Sequence, residues 1–461
     1  MDARDEIIAA QNIKIARLEK KVEELTALVN SLNEKLNQNS RNSHRPPSSD
    51  GPGARAGKQK PEDEKRARGG QKGHRGFKRE LIPVEEVSRF VEVFPPQCEN
   101  CWKVLPKTFD GDASRFQVTE LPVIKIHTTE YRCHAVKCNC GYTTKASNND
   151  IPESQFGPRL TSLVGLLTGI YHLSRRKTVT LLQDVLNINI SLGGVSNIEA
   201  RVSAALLPAS NEAWKKVEES AVKHTDATSW LQEGKLRSLW TIATNVATVF
   251  RILLNGSAAH VAPLFRRCEG VLVSDRATVF SFWAMARRQI CWAHLLRKFI
   301  SFSEKEGPSK KLGDELLEFT SLIFEYWHLL RKKQIERQRF IELMVPVRLQ
   351  FAACLRRALS ANIKEVSGSC ADILVHEKAL WLFVECENVE PTNNHAEREL
   401  RGFVLWRKRS FGTQSLRGNI FAERIMTVAH TARKQKKNVF EFLIESCNAH
   451  MTGTARPSLF S

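Results

Sequence analysis

Val222-Lys-His-Thr-Asp-Ala-Thr-Ser-Trp230 and Gly270-Val-Leu-Val-Ser-Asp275 are the stretches whose reading decides the fold. The first reads as a strand with Asp226 in its middle, the second as a compact apolar strand that ends at Asp275. Between them, residues 236–245 and 249–255 read as two more strands, the first rich in Trp, Ile and Thr, and residues 258–267 fit a short helix. The predicted order is three strands, a helix and a fourth strand. One acid lies inside the first strand and one just after the fourth.

That order is the layout of an RNase H-like fold, whose central sheet sets those two strands side by side and brings both acids to one end. A lone Asp is more often a turn or cap residue, so the placement of both acids against the strand pattern carries the weight. In-line displacement at a phosphodiester uses such a pair, with two Mg²⁺ ions roughly 3.5–4 Å apart stabilising the entering and leaving oxygens. Carboxylates suit these hard cations. The third acid must come from further along. Pro391-Thr-Asn-Asn-His-Ala-Glu397-Arg-Glu-Leu-Arg401 opens a helix with Asn393 or Asn394 available as N-cap. Glu397 and Glu399 are about 200° apart around that helix, so both cannot face the metals. Arg398, Arg401, Arg407, Lys408 and Arg409 follow, the surroundings of a metal site that faces DNA phosphates. The long, mostly helical stretch between the second and third acids predicts a helical insertion over 301–389, splitting the catalytic core into 218–300 and 390–446, with a tail at 447–461.

Toward the N-terminus, residues 155–210 turn helical. Ser174 can cap a helix with Val179, Leu182, Val185 and Leu186 on one face, and a second carries Val195, Ile198, Val202 and Leu206. Two short helices with a tight break, accompanied by Arg175, Arg176, Lys177 and Arg201, fit a helix-turn-helix or plain helical packing alike. Residues 81–150 read as short strands and turns around cysteines. Cys98, Cys101, Cys138 and Cys140 supply the four thiolates that a structural Zn²⁺ prefers, with Cys133, His134 and His127 as substitutes. Residues 39–80 are rich in Gly, Pro, Ser, Lys and Arg and cannot bury enough surface to fold alone. Lys72, Arg75, Lys78 and Arg79 in this arm can follow phosphates or enter a minor groove. Over residues 1–38, Ile15, Leu18, Val22, Leu25, Val29, Leu32 and Leu36 alternate spacings of three and four, the seam of a self-associating coiled coil.

The bulk numbers agree with a multidomain protein that handles nucleic acid. At 461 residues the chain exceeds one compact core, and its 69 Lys and Arg against 50 acids leave a formal charge of +19. The most apolar run, residues 160–173, is too short and too polar to span a membrane. The start Met-Asp-Ala-Arg-Asp-Glu lacks a signal-peptide layout, so five cysteines crowded into residues 98–140 favour metal binding in a reducing cytosol.

These residues resemble the transposases of the insertion sequence 66 family, a branch of the Asp–Asp–Glu transposases with an RNase H-like core. The likeness covers nearly the whole chain. Leu36-Asn-Gln-Asn-Ser-Arg-Asn-Ser-His-Arg-Pro-Pro-Ser-Ser-Asp50 is similar to the family's signature after its zipper, and Gly69-Gly-Gln-Lys-Gly-His-Arg-Gly76 and Gln155-Phe-Gly-Pro-Arg159 follow as they do there. His224-Thr-Asp-Ala-Thr-Ser-Trp230, Ser274-Asp-Arg276 and Pro391-Thr-Asn-Asn-His-Ala-Glu-Arg398 match its three acid motifs, with Ala227 where a Glu often stands. Arg288-Gln-Ile-Cys-Trp-Ala-His-Leu-Leu-Arg297 and Trp406-Arg-Lys-Arg-Ser-Phe-Gly-Thr-Gln-Ser415 match two further blocks, in which Cys291 and His294 form a motif of open role. The cysteine pairs match its zinc module, although Trp102 replaces the usual Gly after the second Cys and the later pair is Cys-x-Cys.

The resemblance implies Asp226, Asp275 and Glu397 as ligands of Mg²⁺ or Mn²⁺ and a structural Zn²⁺ on the four cysteines. It implies double-stranded DNA as partner, both the inverted repeats of an element and its target. It further implies a homo-oligomer joined through the coiled coil, accessory proteins of the same element as candidate partners, and a place at the bacterial nucleoid in the cytoplasm with no membrane. The rivals are a catalytically inactive DNA-binding repressor and a general RNase H-type nuclease.

Overall fold

The structure, a computed structural model, describes residues 3–39, 41–43, 76, 79–108, 111, 113–146, 151–363 and 366–461. The chain divides into two units, Ala56–Glu130 and the remainder. In the smaller unit Val84–Glu86 forms a 3₁₀ turn amid irregular backbone. Side chains clip that backbone together: Gln117 bonds both the N–H and the carbonyl of Ile82, and Arg115 donates to the same carbonyl. Lys72, Arg75 and Lys78 lie outside the described residues, whereas Arg79 is exposed and donates to Thr119 Oγ1.

The larger unit begins with helix α1 (Ala3–Asn37), on which Ile15, Leu18, Val22, Leu25, Val29, Leu32 and Leu36 are all exposed. A short hairpin of β1 (Ala135–Lys137) and β2 (Thr143–Lys145) follows. It is the one strand ladder among the described residues of 81–150. Side chains there are almost all exposed, so no apolar face selects further pairing.

Four helices come next: α2 (Pro158–Gly165), α3 (Arg175–Leu186), α4 (Leu192–Ala205) and α5 (Leu207–Glu219). Ser174 and Ser191 cap α3 and α4 through their side chains, and Asn187 ends α3 in the left-handed region. Arg175, itself exposed, pairs with the buried Glu199 and ties α3 to α4.

The sheet comprises β3 (Val222–Gln232), β4 (Lys235–Ala243), β5 (Thr248–Leu253), β6 (Val271–Ser274) and β7 (Arg288–Ile290), in the order β5-β4-β3-β6-β7. The first three are antiparallel, while β6 and β7 run parallel to β3. Helix α6 (Ala258–Val261) and a 3₁₀ turn (Ala262–Phe265) fill the predicted helix between β5 and β6. The strand pattern read from the sequence thus forms, with β7 added.

After the sheet come α7 (Trp292–Ser303), α8 (Gly307–Arg331), α9 (Arg337–Ser360), α10 (Ser367–Val375), α11 (Glu377–Leu380), α12 (Leu382–Glu385), α13 (Asn394–Ser410), α14 (Leu416–Lys434) and α15 (Val439–Thr452). Two apolar cores result, giving a mixed α/β architecture. One packs α2–α5 and α13–α15 against the sheet around Trp230, Phe250 and Phe403. The other joins α7–α12 to β6 and β7 around Trp292, Phe351 and Trp381.

Helix α14 closes the sheet edge. Glu423, Thr427 and Thr431, spaced four apart on one face, accept the N–H groups of Ile252, Phe250 and Thr248. The outward donors of β5 are thereby satisfied, and the edge is closed to foreign strands.

At the other end of β3, residues 411–413 dock as an extra rung. Thr413 exchanges backbone bonds with Leu231 and Glu233. Gly412 holds φ +93°, and a Cβ there would stand 2.0 Å from the Leu231 carbonyl oxygen. Gly412→Ala is therefore expected to cost at least about 2 kcal/mol in denaturant unfolding, from backbone strain and overpacking together.

Candidate active site

The β3–β6 register sets the first two acids. His224 pairs with Val273 in parallel, and the same offset two residues on makes Asp226 level with Asp275. Asp226 lies within β3, and its Oδ1 accepts the Ala227 N–H. Asp275 follows the end of β6, and its Oδ1 accepts the Ala277 N–H, a local turn that fixes the carboxylate. Arg288, fully buried on β7, braces this loop from behind. Its guanidinium donates to Ser274 Oγ and to the carbonyls of Asp275 and Ala277, and lies over the Phe280 ring. Burial pushes Arg288 down to about 10, which leaves it cationic at neutral pH.

Glu397 enters from α13. Asn393, just before the helix, donates from its side chain to the Thr225 carbonyl at 2.7 Å, and its N–H points at Cys291 Sγ. Thr225 directly precedes Asp226, so this one side chain couples the helix start to the first acid. Asn393 is the N-cap by position but makes no side-chain cap bond. Two groups of α7 face Glu397: His294 Nδ1 lies 3.8 Å from Oε1, and Arg297 lies 3.5 Å from Oε2.

The three carboxylates share one electrostatic site. Burial pushes the Asp226 carboxyl up to about 7. The Ala227 N–H works against that rise, while the negative charges of Glu397 and Asp275 add to it. A divalent cation would relieve such crowding.

Glu399 faces elsewhere. It pairs with His395, His430 and Lys434, the last at 3.1 Å. Burial alone would raise its carboxyl, but the hydrogen bonds of His395 and His430 and the charge of Lys434 win and hold it far below the usual carboxylate range. It is a locked ion pair on the α14 side of the helix.

Of the predicted cations on α13, Arg398, Arg401 and Lys408 are exposed. Arg407 is half-buried and donates to Thr228 and Ser229 of β3. The cysteine pairs fall in different units, and each forms its own tight turn. Trp102 N–H bonds the Cys98 carbonyl and Gly141 N–H bonds the Cys138 carbonyl. Both residues after the pairs have positive φ, +60° for Trp102 and +91° for Gly141. The usual Gly after the first pair is thus explained: Trp102 adopts a backbone that glycine adopts without steric cost. Turn N–H groups, foremost those of Cys101 and Cys140, lower the Cys98 and Cys138 thiols. None of the eleven cysteines forms a disulfide.

The profile of the Transposase IS66 family matches residues 153–419, more than half of the chain. The chain belongs to that family. A second profile, of a family of unknown function, matches residues 2–80. No curated protein matches the chain. The span shared with the IS66 transposases contains Asp226, Asp275 and Glu397 and begins after the cysteine pairs.

Three features of this transposase-family site were not singled out from sequence: Arg288, Asn393 and Arg297. From sequence Asn393 reads only as a cap, and nothing in a short Arg-Gln-Ile run marks a buried strand. The residues fit a divalent cation, since the gathered donors are hard carboxylate oxygens and Glu397 Oε1 is buried without a hydrogen-bond partner. Among the described residues, no helix is long and apolar enough to cross a membrane.

Proposed function

We propose that this chain is the DNA transposase of a bacterial insertion sequence, cutting phosphodiesters at element ends and joining them to target DNA. The observation that carries the reading is the parallel register that levels Asp226 with Asp275, with Glu397 brought beside them by α13. On this reading, β3 to β7 with α7, α13 and α14 belong to an RNase H-like core and α8–α12 to its insertion. Asp226, Asp275 and Glu397 would hold Mg²⁺ or Mn²⁺, which supplies charge stabilisation for in-line displacement at phosphorus. The chain's own residues orient these acids: Asn393 ties β3 to α13, Arg288 fixes the Asp275 loop, and Arg297 balances Glu397. Arg398, Arg401 and Lys408, exposed on the acid-bearing helix, suit phosphates of a bound duplex.

The remaining parts extend the proposal. The exposed apolar seam of α1 supports self-association as a coiled coil, placing one protomer on each element end. The two cysteine turns support a zinc module, and α3 and α4 a helix-turn-helix-like reader of the inverted repeats. Deleting residues 3–37 should reduce the oligomer to monomer in light scattering.

The test is cleavage of a duplex carrying the element's inverted repeat, with Mg²⁺ or Mn²⁺, against a scrambled end. End-specific nicking supports the transposase, cutting of both a general nuclease, and a shifted but uncut duplex the inactive repressor. A binding measurement adds a second check. Asp226 must lose its proton to take a cation, and burial pushes its carboxyl up to about 7. Mg²⁺ affinity should therefore fall by about tenfold from pH 8 to pH 6, read by calorimetry, with protons released on binding.

A further inference from the structure

Two donors beside Glu397 are not used by the carboxylate reading. Cys291 follows β7 and His294 lies in the first turn of α7, three positions on and therefore on the same helix face. One ligand atom from each of Cys291, His294 and Glu397 lies within 4.8 Å of the others, the one such trio among the described residues. Cys291 is fully buried, and Glu397 Oε1 is buried with no hydrogen-bond partner.

Thiol, imidazole and carboxylate together are the donor set of a thiophilic ion, whereas Mg²⁺ takes oxygen. Bonds of about 2.0–2.3 Å to a tetrahedral Zn²⁺ set its donors roughly 3.3–3.8 Å apart. The His294–Glu397 separation of 3.8 Å already meets that span, and a small contraction brings in Cys291. Three protein ligands leave a fourth position open.

We propose that Cys291, His294 and Glu397 form a binding site for a thiophilic ion of the Zn²⁺ class, which competes with the Asp226–Asp275 pair for the Glu397 carboxylate. The competition rests on the assignment of Glu397 as third acid. The thiol proton passes to solvent as the sulfur–metal bond forms, so binding involves no oxidant or reductant. An ion here turns Glu397 away from the other two acids, making the site inhibitory.

Co²⁺ is a suitable probe, because a thiolate ligand produces a charge-transfer band in the near ultraviolet. The cysteine turns also bind cobalt, so the band is read on the full-length chain as wild type minus Cys291→Ser at equal Co²⁺. The expected result is a difference band that is also lost in His294→Ala and retained in Asp226→Asn. Zn²⁺ should inhibit Mg²⁺-dependent end cleavage at least about tenfold more in wild type than in Cys291→Ser, each measured against its own Mg²⁺-only rate. Superimposable cobalt spectra of wild type and a folded Cys291→Ser overturn the proposal. If that variant does not fold, the His294→Ala spectrum decides in the same way. Glu397→Gln that loses the band yet still cleaves would refute the third-acid assignment and leave the ion site standing. Loss of cleavage with no spectral change in any variant would do the reverse.

Discussion

Asp226→Asn is expected to lower end cleavage by at least about a thousandfold while making the metal-free protein more stable at pH 8. The first half follows from charge: the amide is nearly isosteric but cannot hold a divalent cation beside Asp275 and Glu397. The second half follows from linkage. A free Asp titrates at about 3.9, whereas burial pushes Asp226 up to about 7, with Glu397 and Asp275 adding to the rise. The folded protein therefore binds this proton more tightly than the unfolded chain does. Stability is full below about pH 4 and declines as pH rises through about 7. At pH 8 the ionised carboxylate costs roughly 2–4 kcal/mol, a penalty that the amide escapes. Thermal unfolding in chelator should place the variant about 5 °C above wild type at pH 8 and level with it at pH 4. Added Mg²⁺ should raise the wild type alone. A variant that cleaves normally, or one no more stable than wild type at pH 8, would contradict the assignment.

The same acids show how far the chain could be read before its structure. Asp226 and Asp275 were legible because each sits at a definite place in an apolar run, and a parallel register converts sequence offset into spatial level. The third strand of the parallel group, β7, was not legible. Arg288 and Gln289 are polar, and only the completed sheet buries them: Gln289 bonds the Leu380 carbonyl and the Phe383 N–H, while Arg288 grips the Asp275 loop. Polar side chains that serve neighbouring backbone leave no hydrophobic periodicity to detect. Arg407 illustrates the converse. It lies in a run of cations that suits phosphate, yet its guanidinium is engaged by Thr228 and Ser229 across the sheet end. Charge runs are visible in sequence, whereas their partners are set by tertiary packing.

Glu399→Gln is expected to produce the opposite phenotype to Glu397→Gln, and this contrast tests the site most sharply. The two glutamates are two positions apart on α13, and helical geometry sends them to different neighbours. Glu399 accepts from His430 and lies beside His395 and Lys434, all with side chains about 13–15% exposed. Lys434 also donates to the Thr244 carbonyl, so this cluster joins α13, α14 and the end of β4. Removing the negative charge leaves a buried lysine without its counter-ion, a change that costs about 3 kcal/mol or more. The sign with pH is fixed by the direction of the shift. Glu399 is held far below the usual range, so its contribution is present above about pH 4.3, where the unfolded group ionises, and is lost as pH falls further. The deficit of Glu399→Gln should thus be full at pH 7 and shrink toward pH 3. At a temperature where the variant stays folded, end cleavage should persist within about tenfold of wild type, because the catalytic trio keeps its charges. Glu397→Gln should instead lose cleavage with no fall in melting temperature, since it removes one of three mutually repelling acids. Should Glu399→Gln abolish cleavage with stability intact while Glu397→Gln only destabilises, the two roles are exchanged. The third acid would then be Glu399, drawn out of its cluster when DNA binds.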